Sequence, residues 1–311
     1  MAGRLLADEA ARRKPGKAGA AALSIVSNCV LIALKLAAGA ITGSVAIITE
    51  AMHSSIDLIA SIVAYVSVRQ ADKPADDDHP YGHDKIENLA AAIEALLILV
   101  GSGIIVYESV RRLSGGHAEI GSLHIGIAVI AISVVANVVV SSVLARRARE
   151  TESPALEGDA AHLRTDAATS AAVLVGLIVV ELTGETWLDP VIALAVAVAI
   201  VAAGVRLLMR ASRVLVDEAL PPDELDAVRE EIAGFGPRGV CGYHKLRARR
   251  AGSRRYVDLH VQFTSGTTLE DAHATAHALQ DAIRGRLRGA DVLIHLEPQA
   301  SVRPGTEIPA R

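Results

Sequence analysis

Six runs of roughly twenty mostly apolar residues, at 19–41, 46–68, 89–110, 121–144, 166–183 and 187–209, fill the chain as far as residue 209. A run of that length lets an α-helix cross the hydrocarbon core of a bilayer, where each backbone N–H and C=O must be paired inside the segment. Ala, Val, Ile and Leu make up the runs. They lift the hydrophobic share to 51 % and leave 21 % charged residues, against ~45–50 % and ~25 % in soluble domains. The sequence therefore predicts an α-helical membrane protein with six transmembrane helices. A net charge of −4 without a basic aromatic surface argues against nucleic-acid binding. Cys29 and Cys241 lie too far apart for a CxxC pair and support neither a disulfide framework nor a cysteine zinc finger. No GxxxxGK[ST] phosphate loop is present, which argues against an ATP-driven pump. Ser54 and Ser55 follow His53 without a nucleophile elbow or a third, orienting group, so the chain does not read as an enzyme.

Basic residues give an orientation. Arg4, Arg12, Arg13, Lys14 and Lys17 precede the first run, Arg69, Lys73 and Lys85 follow the second, and Arg146, Arg147, Arg149 and Arg164 follow the fourth. The connections near 42–45 and 184–186 have none, and Arg111 and Arg112 are a mild exception. Lys and Arg concentrate on the cytoplasmic side, so both termini are expected in the cytoplasm, with the chain in the cell's inner membrane. The first run lacks a small-residue cleavage pattern and reads as an anchor that stays. The expected division is a cytoplasmic tail at 1–18, a membrane domain at 19–210, a cytoplasmic metal-binding regulatory domain at 211–300 and a flexible tail at 301–311.

Beyond 211 the long apolar runs stop. Pro221-Pro222-Asp223 opens a helix through Phe235. Residues 243–250 read as a strand, with a turn at Ala251-Gly252-Ser253. Residues 254–263 alternate, with Val257, Leu259, Val261 and Phe263 on one face and Tyr256, Asp258, His260 and Gln262 on the other. A helix follows at 267–286 with Thr268 as its N-cap, then a strand at 290–296. The order αββαβ predicts a small open-faced α+β sandwich.

The residues that break the apolar pattern carry the chemistry. His53-x-x-x-Asp57 in the second run and His162-x-x-x-Asp166 at the start of the fifth each place two ligands on one helix face, a turn apart. Facing one another, the pairs would offer two imidazole nitrogens and two carboxylate oxygens, a set suited to tetrahedral Zn²⁺. A single pair is equally a helix-stabilising polar contact; the repeat of the pattern favours metal. The loop Asp76-Asp77-Asp78-His79-Pro80-Tyr81-Gly82-His83 is dense in ligands and shaped by Pro80 and Gly82. It reads as a metal loop through Asp76, His79 and His83, or as a solvated acidic loop. In the C-terminal region His244, His260, His273, His277, His295 and Glu297 could converge on one or two metals, or stand as ordinary surface histidines.

Taken together these residues resemble the cation diffusion facilitator family of divalent metal transporters, over roughly residues 15 to 300. The resemblance rests on Gly43-Ser44-Val45-Ala46, on His53-Ser54-Ser55-Ile56-Asp57 and on the loop from Pro74 through Glu87. It extends through His162-Leu163-Arg164-Thr165-Asp166, Asp217-Glu218-Ala219-Leu220-Pro221 and Ile294-His295-Leu296-Glu297-Pro298. The resemblance implies a homodimer of six-helix protomers with a metallochaperone-like cytoplasmic domain, which exports divalent metal by alternating access in exchange for protons. It implies a transport site of His53, Asp57, His162 and Asp166, a loop site of Asp76, His79 and His83, and a cytoplasmic binuclear site of His244, His260, His273, His295 and Glu297. His53 stands where bacterial exporters of the family often carry Asp, and favours Zn²⁺ over Cd²⁺, Fe²⁺ or Mn²⁺. Glu297 stands where Asp is usual. The expected ligand is Zn²⁺, both transported and regulatory, with no organic cofactor. The alternatives are the same fold carrying Fe²⁺, Co²⁺, Mn²⁺ or Cd²⁺, and a non-transporting membrane metal sensor or heterodimer partner.

Overall fold

Six long helices carry the apolar runs: α1 (Lys17–Thr42), α2 (Val45–Ala71), α3 (Lys85–Leu113), α4 (Leu123–Thr151), α5 (Pro154–Thr183) and α6 (Leu188–Leu215). This computed structural model describes residues 17–42, 45–114, 123–183 and 187–308. Most of the expected N-terminal tail, the connections at 43–44 and 184–186, and residues 309–311 lie outside the described residues. The chain divides into two units, Met1–Ser212 and Arg213–Arg311.

In the first unit α5 packs on α3 and α4, and α1 packs on α2 and α4. Small side chains let the backbones approach: Ala20, Ala21, Ala90, Ala145, Ala148 and Ala160 are buried with Val68, Val140, Leu144, Leu156 and Leu163. The distribution of polarity is inverted relative to a soluble bundle. Val26, Val30, Ile59, Val100, Ile104, Val135 and Val198 face outward, while Ser24, Asn28, Ser61, Glu94, Asp159 and His162 are buried. Lipid accepts an apolar exterior, and ionisable groups retreat to the bundle interior. Among the described residues four stretches are long and apolar enough to span a bilayer: Lys17–Ala38, Lys85–Arg111, Ala128–Thr151 and Pro190–Leu215. α2 and α5 carry the other two apolar runs; Glu50 and Asp57 interrupt the first, and Glu157, Asp159 and Asp166 stand before or at the start of the second. α5 begins at Pro154, well before the apolar run at 166–183. Its polar first half is helical because it is buried against α3 and α4: Ala155, Leu156, Asp159 and His162 are all shielded. Pro154 at the first turn loses no needed N–H.

The second unit contains α7 (Pro222–Gly234), β1 (Val240–Ala251), β2 (Arg254–Phe263), α8 (Leu269–Arg286) and β3 (Ala290–Pro298). β1 pairs antiparallel to β2, and β2 parallel to β3, giving the order β1-β2-β3. The parallel pair requires a crossover, which α8 supplies. Thr268 caps α8 by accepting from the Asp271 N–H at 3.1 Å. Val257, Leu259 and Val261 of β2 meet Val228 and Ile232 of α7 and Leu279 and Ile283 of α8 in one core. Both helices thus cover one face of the sheet and leave the other to polar side chains. Arg255 joins β2 to α7 through Glu224, with Nε 2.7 Å from Oε2.

The sequence predicts a flexible tail from 301, but the chain is held on the sheet as far as Ile308. Tyr243 N–H donates to Thr306 O, Ile308 N–H donates to Cys241 O, and Ile308 enters the core. Gly242 permits this approach: a Cβ there would lie 3.0 Å from Thr306 O and 3.0 Å from Gln262 Oε1.

Candidate metal sites

α2 and α5 bring Asp57, His162 and Asp166 together, with one ligand atom of each within 4.8 Å of the others. His162 Nε2 lies 3.3 Å from Asp57 Oδ1 and 3.8 Å from Asp166 Oδ2. His162 and Asp57 are buried, and among the described residues neither ring nitrogen of His162 has a well-aligned hydrogen bond. A buried imidazole facing two carboxylates without directed hydrogen bonds has donor atoms available to a cation. His53 lies one turn before Asp57 on α2, and its side chain is outside the described ones.

The loop between α2 and α3 forms a second cluster. Asp76 Oδ1 accepts from the His79 backbone N–H at 2.7 Å, and Asp76 Oδ2 lies 3.3 Å from His83 Nε2. Gly82 turns the chain with φ +86, and its N–H donates to His79 O, so the His79 and His83 rings come within 4.4 Å. The His79 N–H bond, foremost, holds the Asp76 carboxyl below its ordinary range despite some burial, and nearby imidazoles add to this. The three ligands expected here do converge, two exposed and His83 buried with Nδ1 lacking a hydrogen-bond partner.

The third cluster lies on the polar face of the C-terminal sheet. Strand register sets His244 opposite His260, His260 opposite His295 and Gln262 opposite Glu297. A register shift between His244 and Arg247, with Lys245 at φ 50, interrupts the β1–β2 ladder directly after His244. His260 Nδ1 lies 2.7 Å from Glu297 Oε1, and His244 Nε2 lies 2.9 Å from Glu297 Oε2. Burial raises the Glu297 carboxyl, but hydrogen bonds from His260 and Gln262 and the nearby His244 outweigh it and hold the group at about 2. Both His244 ring nitrogens are buried without a well-aligned hydrogen bond, which suits a metal donor.

Of the five residues expected in that site, His244, His260 and Glu297 gather within one protomer. His295 lies exposed beside His260, with ring centroids 4.6 Å apart. His273 does not join. It is exposed on α8 and pairs with His277, Nε2 to Nε2 at 3.1 Å. The reason is the helix face: α8 docks through Ala272, Ala276, Leu279 and Ile283 onto the apolar side of the sheet, and the histidine cluster occupies the other side. Gln262 is a site residue not singled out from sequence. It is fully buried and donates to Glu297 Oε2 at 2.8 Å. Its position on the polar face of an alternating strand is the available signal. Glu94, Asp159, Ser24 and Ser61 form a further buried polar group that the sequence reading passed over. The signal there is a carboxylate inside an apolar run.

Residues 21–216 match the model of the cation efflux transmembrane domain, and residues 220–299 match that of the cation efflux protein cytoplasmic domain. The chain belongs to the cation diffusion facilitator family. It is a multi-pass membrane protein of a family of cation transporters. An uncharacterised transporter of Synechocystis sp. is 36 % identical over 278 residues, covering 89 % of each chain. The cation-efflux pump FieF of Serratia proteamaculans is 31 % identical, over 89 % of this chain and 91 % of that one. Its counterpart in Yersinia pestis (strain Pestoides F) is 32 % identical, over 90 % and 92 %. A solved metal-bound C-terminal domain of the CzcD transporter from Thermotoga maritima is 25 % identical, covering 27 % of this chain and 100 % of that domain, with a TM-score of 0.24.

Proposed function

We propose that this cation diffusion facilitator exports Zn²⁺ from the cytoplasm in exchange for protons, by alternating access in a homodimer, with both termini in the cytoplasm of the inner membrane. The reading rests on the buried Asp57, His162 and Asp166 cluster. Its mixture of imidazole and carboxylate suits zinc, whereas manganese favours oxygen-rich sets. His53, a turn from Asp57, completes the four-ligand set. The imidazole must be neutral and the carboxylates ionised to take the metal, so metal and protons compete for the same atoms. With the site open to the cytoplasm, Zn²⁺ displaces protons; with it open outward, the lower external pH returns them and expels the metal. α2 and α5, which hold the ligands, are the helices whose movement alternates access.

The loop site of Asp76, His79 and His83 binds metal near the membrane domain. The cluster of His244, His260 and Glu297 is regulatory, and metal there favours the active dimer. His273, on the far side of the sheet, contributes in this reading only across the homodimer, whereas His295 stands beside His260 in the same protomer. The relatives named as cation-efflux pumps support the direction of transport.

A second reading is favoured by the self-contained cluster in the C-terminal unit: a non-transporting membrane sensor needs only those ligands. Reconstituted vesicles separate the two. Zinc flux with opposite proton flux is the expected result, and Fe²⁺, Co²⁺, Mn²⁺ and Cd²⁺ as competitors establish the preferred cation. Sealed vesicles that bind zinc but pass none would overturn transport.

A further inference from the structure

Glu94 on α3 is fully buried, and among the described residues neither of its carboxyl oxygens has a hydrogen-bond partner. Its head occupies the space that Gly158 of α5 leaves open. A Cβ at Gly158 would lie 3.0 Å from Glu94 Cδ and would collide with Oε2. The next residue on α5, Asp159, is fully buried too. Its Oδ1 accepts from Ser24 of α1 and Ser61 of α2, both at 3.1 Å, and its Oδ2 has no partner among the described residues. Ser61 also lies 2.8 Å from Ser24 Oγ and accepts from Asn28 at 2.9 Å.

This layer adjoins the candidate transport site. Ser61 follows Asp57 by one turn on α2, and Asp159 precedes His162 by about one turn on α5. Asp159 interacts electrostatically with Glu94 on one side and with His162 on the other. Among the described residues no cation faces Glu94. α6 offers Ile200, Gly204 and Leu207 to this part of α3, and Val68 of α2 and Ala90 of α3 lie in one apolar cluster. Lys17 of α1 is engaged by Glu87, two turns away along α3. Two carboxylates that repel one another in an apolar interior, with no cation, are not both ionised.

We propose that Glu94 and Asp159 share one proton while the neighbouring site is empty of metal, and release it when a divalent cation binds at Asp57, His162 and Asp166. The O–H bond of the carboxylic acid breaks, its electron pair stays on the carboxyl oxygen, and the proton passes to water. The pair thereby supplies a coupling proton separate from any carried by His162. The proposal rests on the proton-antiport reading but is tested without a gradient.

The measurement is the number of protons released as zinc binds to the purified full-length protein, read by an indicator dye in weak buffer. Glu94→Gln keeps the size of the group and removes its proton. Release is expected to fall by about one proton per protomer, with zinc affinity at the transport site changed by less than about threefold. Release equal to that of the wild type overturns the proposal. Infrared difference spectra of the unaltered protein give a second reading. Zinc should bleach a protonated-carboxyl band that Glu94→Asp shifts, and a wild-type spectrum without that band also overturns the proposal. Vesicles in which zinc moves without protons would instead refute antiport, leaving the binding-linked release to decide the role of the pair.

Discussion

His162 Nε2 of α5 lies 3.3 Å from Asp57 Oδ1 of α2. The contact joins two members of the candidate transport site from opposite halves of the membrane domain, so in the proposed site loss of either leaves the other in an incomplete shell. Asp57→Ala, Asp166→Ala and His162→Ala are each expected to lower zinc flux into proteoliposomes by more than tenfold, since changes merely beside a metal ligand already cost ~10–100-fold. Wild-type rates in Asp57→Ala and Asp166→Ala would refute the site.

Glu297 touches both His260 and His244 and is the common member of the candidate cluster in the C-terminal unit. Glu297→Gln keeps the shape and removes the charge. It should weaken zinc binding to the C-terminal unit by at least tenfold while leaving zinc affinity at the membrane site unchanged, as competition titrations can resolve. Gln262→Ala, which removes a hydrogen bond to the same carboxylate, should reproduce part of that loss.

The pairing of Glu224 with Arg255 and Arg250 governs a pH effect in the C-terminal unit. Burial raises the Glu224 carboxyl, but the two guanidinium groups outweigh it and lower the group below 4.5. A lowered folded-state value means the stabilisation is fully present above about pH 4.5, the unfolded reference. It is lost as pH falls through the lower, folded value. Glu224→Gln should therefore lower stability at neutral pH, because it removes the charge facing the buried Arg255, which keeps only its bonds to neutral acceptors such as Arg288 O. The difference from wild type should shrink in acid. Thermal unfolding across pH reads both; an unchanged gap in acid would contradict the account.

Two glycines make steric predictions. Gly158→Ala drives a methyl group into the Glu94 carboxyl, with an expected loss of about 1–3 kcal/mol in the membrane unit. Gly242→Ala presses on Thr306 O and Gln262 Oε1 and should lift residues 302–308 from β1. Faster hydrogen exchange at the Tyr243 and Ile308 N–H groups, which bond across this contact, would report the release, and unchanged exchange would show that the neighbours accommodate the methyl.

Much of the site was legible because its chemistry contradicts its surroundings. His162 and Asp166 stand at helical spacing at the edge of an apolar run, and Asp76, His79 and His83 crowd one turn. Alternation located the strand that bears His260, while the strand expected at 290–296 stopped one residue short of Glu297 and in fact runs to Pro298. Periodicity also drew α5 too short, since a polar helical segment buried by neighbouring helices has no apolar signature. His273 could not be placed from spacing, because the sequence does not say which side of the sheet α8 covers. Glu94 went unnoticed for a related reason. One carboxylate in an apolar run has meaning only once Gly158 and Asp159 of another helix are beside it.

The sequence by itself determined six apolar helices, a small αββαβ unit and the ligand types, because run length and alternation follow from local backbone geometry and from solvent. Tertiary structure decided which ligands meet. Asp57 faces His162, His244 joins Glu297, and Glu94 is enclosed beside Gly158 only because helix packing and strand register bring distant segments within a few ångströms. Those distances depend on side-chain volumes summed over whole interfaces, such as the gap at Gly158, and no local pattern along the chain encodes them.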